Sequence, residues 1–203
     1  MHLSEGVLSP STLVIGYAVA IMGITVGLRK MDNAKLPFVA LFSASFFVAS
    51  TIHIPVGISS VHLILNGIAG LFLGWSVFPA FLIALILQLL LFAFGGFSVL
   101  GVNLCIMALP AIVVHILLTP YIQRQQTRYS LIIIGTLAGI IGVAGSALIA
   151  AIFLSMEGGK TYLDLIWLLL ISHIPVFIID PLISIGILLA LAKMRPQIFH
   201  EVK

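Results

Sequence analysis

The chain is poor in charge and almost without cysteine. Nine Lys and Arg and six Asp and Glu are its only formally charged side chains, 7% of 203 residues. A soluble domain carries roughly a quarter, so these are too few to cover a water-facing surface. Cys105 stands alone, which excludes an intrachain disulfide and a thiolate metal cluster. There is no His-Glu-x-x-His pair, no Gly-x-Ser-x-Gly elbow and no Gly-x-x-x-x-Gly-Lys loop. Those absences argue against a metalloprotease, a serine hydrolase and a nucleotide-binding loop, and the chain reads as a non-enzyme. No Lys or Arg precedes the first apolar run, so a cleavable signal is not expected. The bulky His2 disfavours removal of the initiator, so the mature chain is expected to start at Met1.

What the chain has is apolar length. Hydrophobic residues make up 62% of it, and the mean hydropathy is +1.30. The runs are long and unbroken rather than alternating, which predicts helices and not a barrel. The expected fold is all-α: one polytopic membrane domain over residues 1–203. A helix needs about twenty residues to cross the hydrocarbon core. Runs between breakers predict seven spans, at roughly 8–28, 36–52, 61–75, 77–94, 102–120, 130–155 and 162–192. The third and fourth are short, and merging them gives a rival six-span count. Charge favours seven. Arg29, Lys30, Lys35, Arg124, Arg128, Lys193, Arg195 and Lys203 then share one side, with only Lys160 opposite. The positive-inside rule demands that asymmetry and sets the N-terminus outside and the C-terminus inside. Grouped this way, the basic residues suit a lipid bilayer and not a nucleic acid.

The start of the chain carries the most specific chemistry. With a free amino group at Met1, the amine, the His2 backbone nitrogen and the His2 Nδ1 close two adjacent chelate rings round one ion. A fourth nitrogen completes a flat site, which suits Ni(II) or Cu(II). The seven-span order puts Met1-His2, His53, His62 and the 95–103 loop at the external face.

Three segments carry a resemblance. They are Met1-His2-x-x-Glu5-Gly6, then Ser60-Val61-His62-Leu63-x-x-Asn66-Gly67-x-x-Gly70-x-x-x-Gly74, and Gly95-Gly96-x-x-x-x-Gly101-x-Asn103-x-x-x-Met107-Ala108; Ser172-His173-Ile174-Pro175 adds a weaker match. Together the chain resembles the CbiM/NikM family, the substrate-binding membrane (S) subunits of energy-coupling-factor (ECF) importers for cobalt and nickel. The resemblance implies a six-helix S-component core plus one N-terminal helix. It implies four nitrogen donors: the Met1 amine, the His2 backbone nitrogen, and the imidazoles of His2 and His62. It implies Ni(II) or Co(II) as cargo, with no permanently bound cofactor. The implied partners are a transmembrane coupling (T) subunit, ABC-type ATPases and a small accessory membrane subunit, in a bacterial or archaeal cytoplasmic membrane. The pattern Ala40-x-x-x-Ala44 offers a ridge for the coupling partner, and internal helix packing explains such a ridge equally well.

Other polar residues have open roles. His53 either orients a ligand from behind or sits at the membrane interface. Glu5 offsets the ion's charge, holds His2, or caps the first helix together with Ser4. Asn103 is placed to donate to backbone at the site, whereas Asn66 reads as a bundle contact. Gly95, Gly96 and Gly101 suit either a loop over the site or a plain turn. His173 and Asp180 share a helix face about 10 Å apart; with Pro175 and Pro181 they suggest a kink or coupling element. The rival function is a membrane haem or electron-transfer protein using His115 and His173 as axial ligands. A simple channel is a further rival, but it has no use for the free end.

Overall fold

The computed structural model describes residues 2–31, 33, 36–51, 53–56, 59–124 and 126–201, with backbone alone at 53–56, 59–61, 200 and 201. In chain order the elements are β1 (His2–Leu3), α1 (Pro10–Lys30), α2 (Leu36–Thr51), β2 (His53–Val56) and β3 (Ser59–His62). There follow α3 (Asn66–Leu73), α4 (Val77–Phe92), α5 (Leu100–Arg124), α6 (Arg128–Ser155), α7 (Lys160–Ser172), α8 (Ile174–Met194) and α9 (Ile198–Glu201). Five stretches are long and apolar enough to cross a bilayer: Pro10–Lys30, Asn66–Phe92, Leu100–Arg124, Arg128–Ser155 and Ile174–Met194. The protein is a polytopic helical membrane protein.

Length and composition count Asn66–Phe92 as one stretch, but the chain turns back inside it. A straight helix of 27 residues would be about 40 Å long. Yet His2 touches both His62, just before α3, and Phe94, just after α4. The reversal is the 3-10 turn Gly74–Ser76, where Gly74 has φ +53°. Its Cα faces the His115 imidazole, so a side chain there would be both strained and crowded. α3 descends beside α5, with Gly70 against the Ala111 backbone and Gly74 against His115. α4 climbs beside α2: Ser43 donates to the Ala80 carbonyl, and Gln88 donates to Ser50 one level higher.

Small residues let these helices approach closely. α1 buries Gly16, Ala20, Gly23 and Gly27 as one stripe, with Gly16 on Val102 and Gly23 on the Phe78 ring. Gly67 lies on the Ala138 backbone and Gly139 on Pro181. Asn66, fully buried, donates to the Met107 carbonyl and to Ser146 Oγ, both at 2.9 Å. It therefore ties α3 to α5 and α6, the bundle contact expected of it.

The all-α expectation needs one correction. A three-stranded antiparallel sheet, in the order β1-β3-β2, closes one end of the bundle. His2 pairs with Ser60 and Leu3 with Ser59, while His53 pairs with His62. A backbone arm that enters an apolar bundle must find hydrogen-bond partners for its own amides, and β3 supplies them. The expected third span at 61–75 is therefore a strand, an irregular link and a short helix. The expected last span at 162–192 is two helices, α7 and α8, broken at His173.

Candidate metal centre

The arm at the start of the chain is threaded into the bundle and held on both sides. β3 pairs with one edge. From the other side Asn103 grips Leu3: the Leu3 amide donates to its Oδ1 at 2.8 Å, and its Nδ2 donates to the Leu3 carbonyl at 3.0 Å. Leu3 and Asn103 are both buried, so each of these bonds forms where water cannot replace it. Glu5 stands outside this core, exposed. Its carboxylate accepts the Ser98 amide at 3.0 Å, and it packs over Gly96. A Cβ at Gly96, where φ is +149°, would run into the Glu5 side chain. The loop expected at 95–103 is shorter, because Leu100–Asn103 already belong to α5; what remains of it closes over the arm, with Glu5 as its latch. Glu5 and Ser4 do not cap α1, because the helix starts at Pro10 with Ser9 as N-cap. The Ser9 amide donates to Glu157 at 3.0 Å.

The side chains of His2 and His62 are each 3% exposed. The Nδ1 of His2 and the Nε2 of His62 face each other at 3.0 Å. His62 Nδ1 donates to the Leu63 carbonyl at 2.6 Å. That bond sets the tautomer, so the His62 Nε2 presents a lone pair to His2 and His2 Nδ1–H donates to it. Burial first of all, then neighbouring charge, holds the His62 imidazole well below its usual pKa and keeps it neutral. Phe94 lies beside His2 with ring centroids 6.3 Å apart, and Phe46 meets His62 edge-on at 6.2 Å. These rings make the surroundings apolar.

The spacing fits a metal edge. Two nitrogens at adjacent corners of a flat site, each about 2.0–2.1 Å from the ion, lie about 2.8–3.0 Å apart. Opposite corners would be about 4 Å apart. The pair has the separation that adjacent corners would require. An ion there would stand where the hydrogen between the rings now lies, and His2 would then carry its proton on Nε2 and offer Nδ1.

Of the other expected residues, Met1 lies outside the described residues, as does the side chain of His53; its backbone pairs with that of His62. Among the described residues no three His, Cys, Asp or Glu side chains form a metal cluster. His173 is fully buried, with Nδ1 donating to the Leu169 carbonyl at 2.8 Å. His115 has different neighbours, Gly74 and Thr119, so the structure does not bring the haem pair together. Ala40 and Ala44 are exposed on α2; internal packing does not use that ridge. Sequence reasoning missed Phe46 and Phe94, whose only signal is Phe94's place before the glycine pair.

The family profile for the "Cobalt uptake substrate-specific transmembrane region", CbiM, matches residues 2–198. The chain belongs to the CbiM family. It is 57% identical to a "Putative metal transport protein" of Haemophilus influenzae over 99% of this chain and 98% of that one. It is 33% identical to the "Fused nickel transport protein NikMN" of Rhodobacter capsulatus, over 75% of this chain and 46% of that longer protein. In fold it matches a crystal structure of a transition metal transporter with TM-score 0.74 at 23% identity, covering 99% of this chain and 97% of that one. These CbiM-family relatives are named as transporters, which fits the absence of enzyme motifs.

Proposed function

We propose that this chain is the substrate-capture membrane subunit of an ECF-type ABC importer for Ni(II) or Co(II). The facing pair His2 Nδ1 and His62 Nε2, buried and 3.0 Å apart, is the observation that carries this. The Met1 amine and the His2 backbone nitrogen complete the four donors. A divalent ion cannot shed its water into hydrocarbon unaided; these four fixed nitrogens replace that water. The deprotonated backbone nitrogen adds negative charge, so loading releases protons.

The arm end faces outward and the C-terminus inward, with the chain crossing seven times and α7 and α8 sharing the last crossing. Supporting this, Lys30 lies over the Trp75 ring at the turn remote from the arm, 5.5 Å from its centroid. Arg124, Arg128 and Lys193 also end or begin helices at that remote end, whereas Lys35 and Lys203 lie outside the described residues. Binding is passive here, and ATP hydrolysis belongs to separate ATPase subunits reached through a coupling subunit. A relative named as a fused nickel transport protein supports association with further components. The exposed Ala40 and Ala44 ridge is the surface offered to the coupling subunit.

The test uses protein with an unblocked amino terminus. Ni(II) and Co(II) are titrated into the parent, His2→Ala and His62→Ala proteins. Tight binding should vanish in both variants, and nanomolar binding surviving in either refutes the assignment. One residue added before Met1 should abolish radiometal uptake.

A further inference from the structure

Asp180 has no part in the donor set, yet it is a fully buried carboxylate within an apolar helix. Its two oxygens are both engaged, and both by the same short segment. The Ile64 amide donates to Oδ1 at 3.1 Å, and the Leu65 amide donates to Oδ2 at 2.9 Å. That segment is the link between the strand that ends at His62 and the helix that starts at Asn66. It has no regular structure, so its amides lack partners within a helix or a strand. Leu65 also holds φ +50°, a left-handed conformation that a branched side chain adopts only under constraint. The His62 imidazole is itself tied to this link through the Leu63 carbonyl. The link therefore carries both the ring's tautomer and its position.

A carboxylate suits this task for a chemical reason. Two consecutive amides that point the same way need two acceptors side by side. A carboxylate presents two, while an amide side chain presents one acceptor and one donor. Asparagine would satisfy one N–H and oppose the other.

We infer that Asp180 is a positioning residue for the metal centre: by clamping the Ile64 and Leu65 amides it holds His62 Nε2 at the fourth corner of the site. This rests on the proposed role of His62 as a ligand. It also joins the site to α8, because the same helix packs through Pro181 against Gly139 of α6. The His62 corner is thereby referenced to the bundle and not only to the small sheet.

The experiment compares Asp180→Asn with the parent and with His62→Ala, using full-length protein with a free amino terminus and nickel alone. Affinity and the visible absorption of the bound ion are read together, because loss of one nitrogen donor shifts the band. Asp180→Asn should bind nickel about 10–100-fold more weakly, the range for residues that orient ligands, and its band should move toward that of His62→Ala. Parent affinity overturns the inference. So does weaker binding with the parent's band, since that is a general loss of stability and not a displaced His62. Should Asp180→Asn fail to fold, Asp180→Glu keeps both acceptors and shifts them by one methylene. It should show a smaller loss with a partial band shift, and parent behaviour in that variant overturns the inference equally. Undiminished nickel binding by His62→Ala is the distinct result that removes the site reading, and the inference with it.

Discussion

The two halves of this molecule are held together by different forces. The middle of the bundle is joined chiefly by small residues that bring backbones into contact, as at Gly67 on Ala138 and Gly70 on Ala111, with Asn66 adding hydrogen bonds across it. The arm end is joined chiefly by hydrogen bonds between segments far apart in sequence. Asn103 grips Leu3, Glu5 takes the Ser98 amide, Glu157 takes the Ser9 amide, and Tyr162 donates to the Val7 carbonyl at 3.1 Å. Contacts of the first kind are many and individually weak, and they cannot be removed one at a time. Contacts of the second kind are few and local. The difference separates the bundle from the arm end, so the bundle is expected to stay intact while the arm end is altered.

That contrast can be broken most severely at the middle. Gly70→Val drives a branched side chain into the Ala111 backbone, which cannot give way. It should cost at least the upper end of the usual overpacking range of about 1–3 kcal/mol, lowering the melting temperature and metal binding together. A parent-like melting curve would show that the glycine packing is not structural. His62→Ala should do the opposite, lowering nickel affinity by more than about 100-fold, beyond the range for residues that only orient ligands, while the metal-free melting temperature changes little. A large fall in that temperature would erase the distinction between the two regions.

Asn103→Ala should give a milder version, about 10–100-fold in affinity. It leaves the Leu3 amide and carbonyl without this partner and loosens the arm without removing a donor. Acid should act in the same direction. His62 is depressed below its usual 6.5, chiefly by burial, so it takes up a proton at a higher pH when the arm is undocked than when the arm is docked over it. The docked arm is therefore fully favoured above about pH 6.5 and loses stability as the pH falls below it. Titrations from pH 7.5 to 5.5 on the order of those limits should show affinity falling steadily, and a flat profile would contradict the buried neutral imidazole. The smallest effect on binding belongs to Ala44→Trp on the exposed face of α2. Nickel affinity of the isolated subunit should stay at the parent value, and uptake by the assembled importer should fall.

Much of the framework was legible because it depends on composition and spacing. Low charge and unbroken apolar runs predicted a helical membrane protein. The boundary between the spans expected at 61–75 and 77–94 falls at the turn that joins α3 to α4, where Gly74 has a positive φ. The family resemblance implied the pair His2 and His62, and the two imidazoles meet. The sheet was not legible. Its strands are two to four residues long, too short for alternation to show. None of the three roles open to Glu5 was its bond to the Ser98 amide, because that contact joins segments 93 positions apart. Asp180 suggested a kink or coupling element, since nothing in its own helix points to amides at positions 64 and 65.

Sequence by itself determined that this chain is a helical membrane protein, and its resemblance to a known family paired His2 with His62. The first is a property of composition and periodicity, and neither needs a contact from elsewhere in the chain to be seen. Only tertiary structure decided that the two rings face each other, that Asn103 holds the arm, and that Asp180 holds the link behind His62. Each of these joins residues some 60 to 116 positions apart. Such contacts form because buried amides and imidazoles must find partners wherever the fold brings them, and that requirement leaves no local mark.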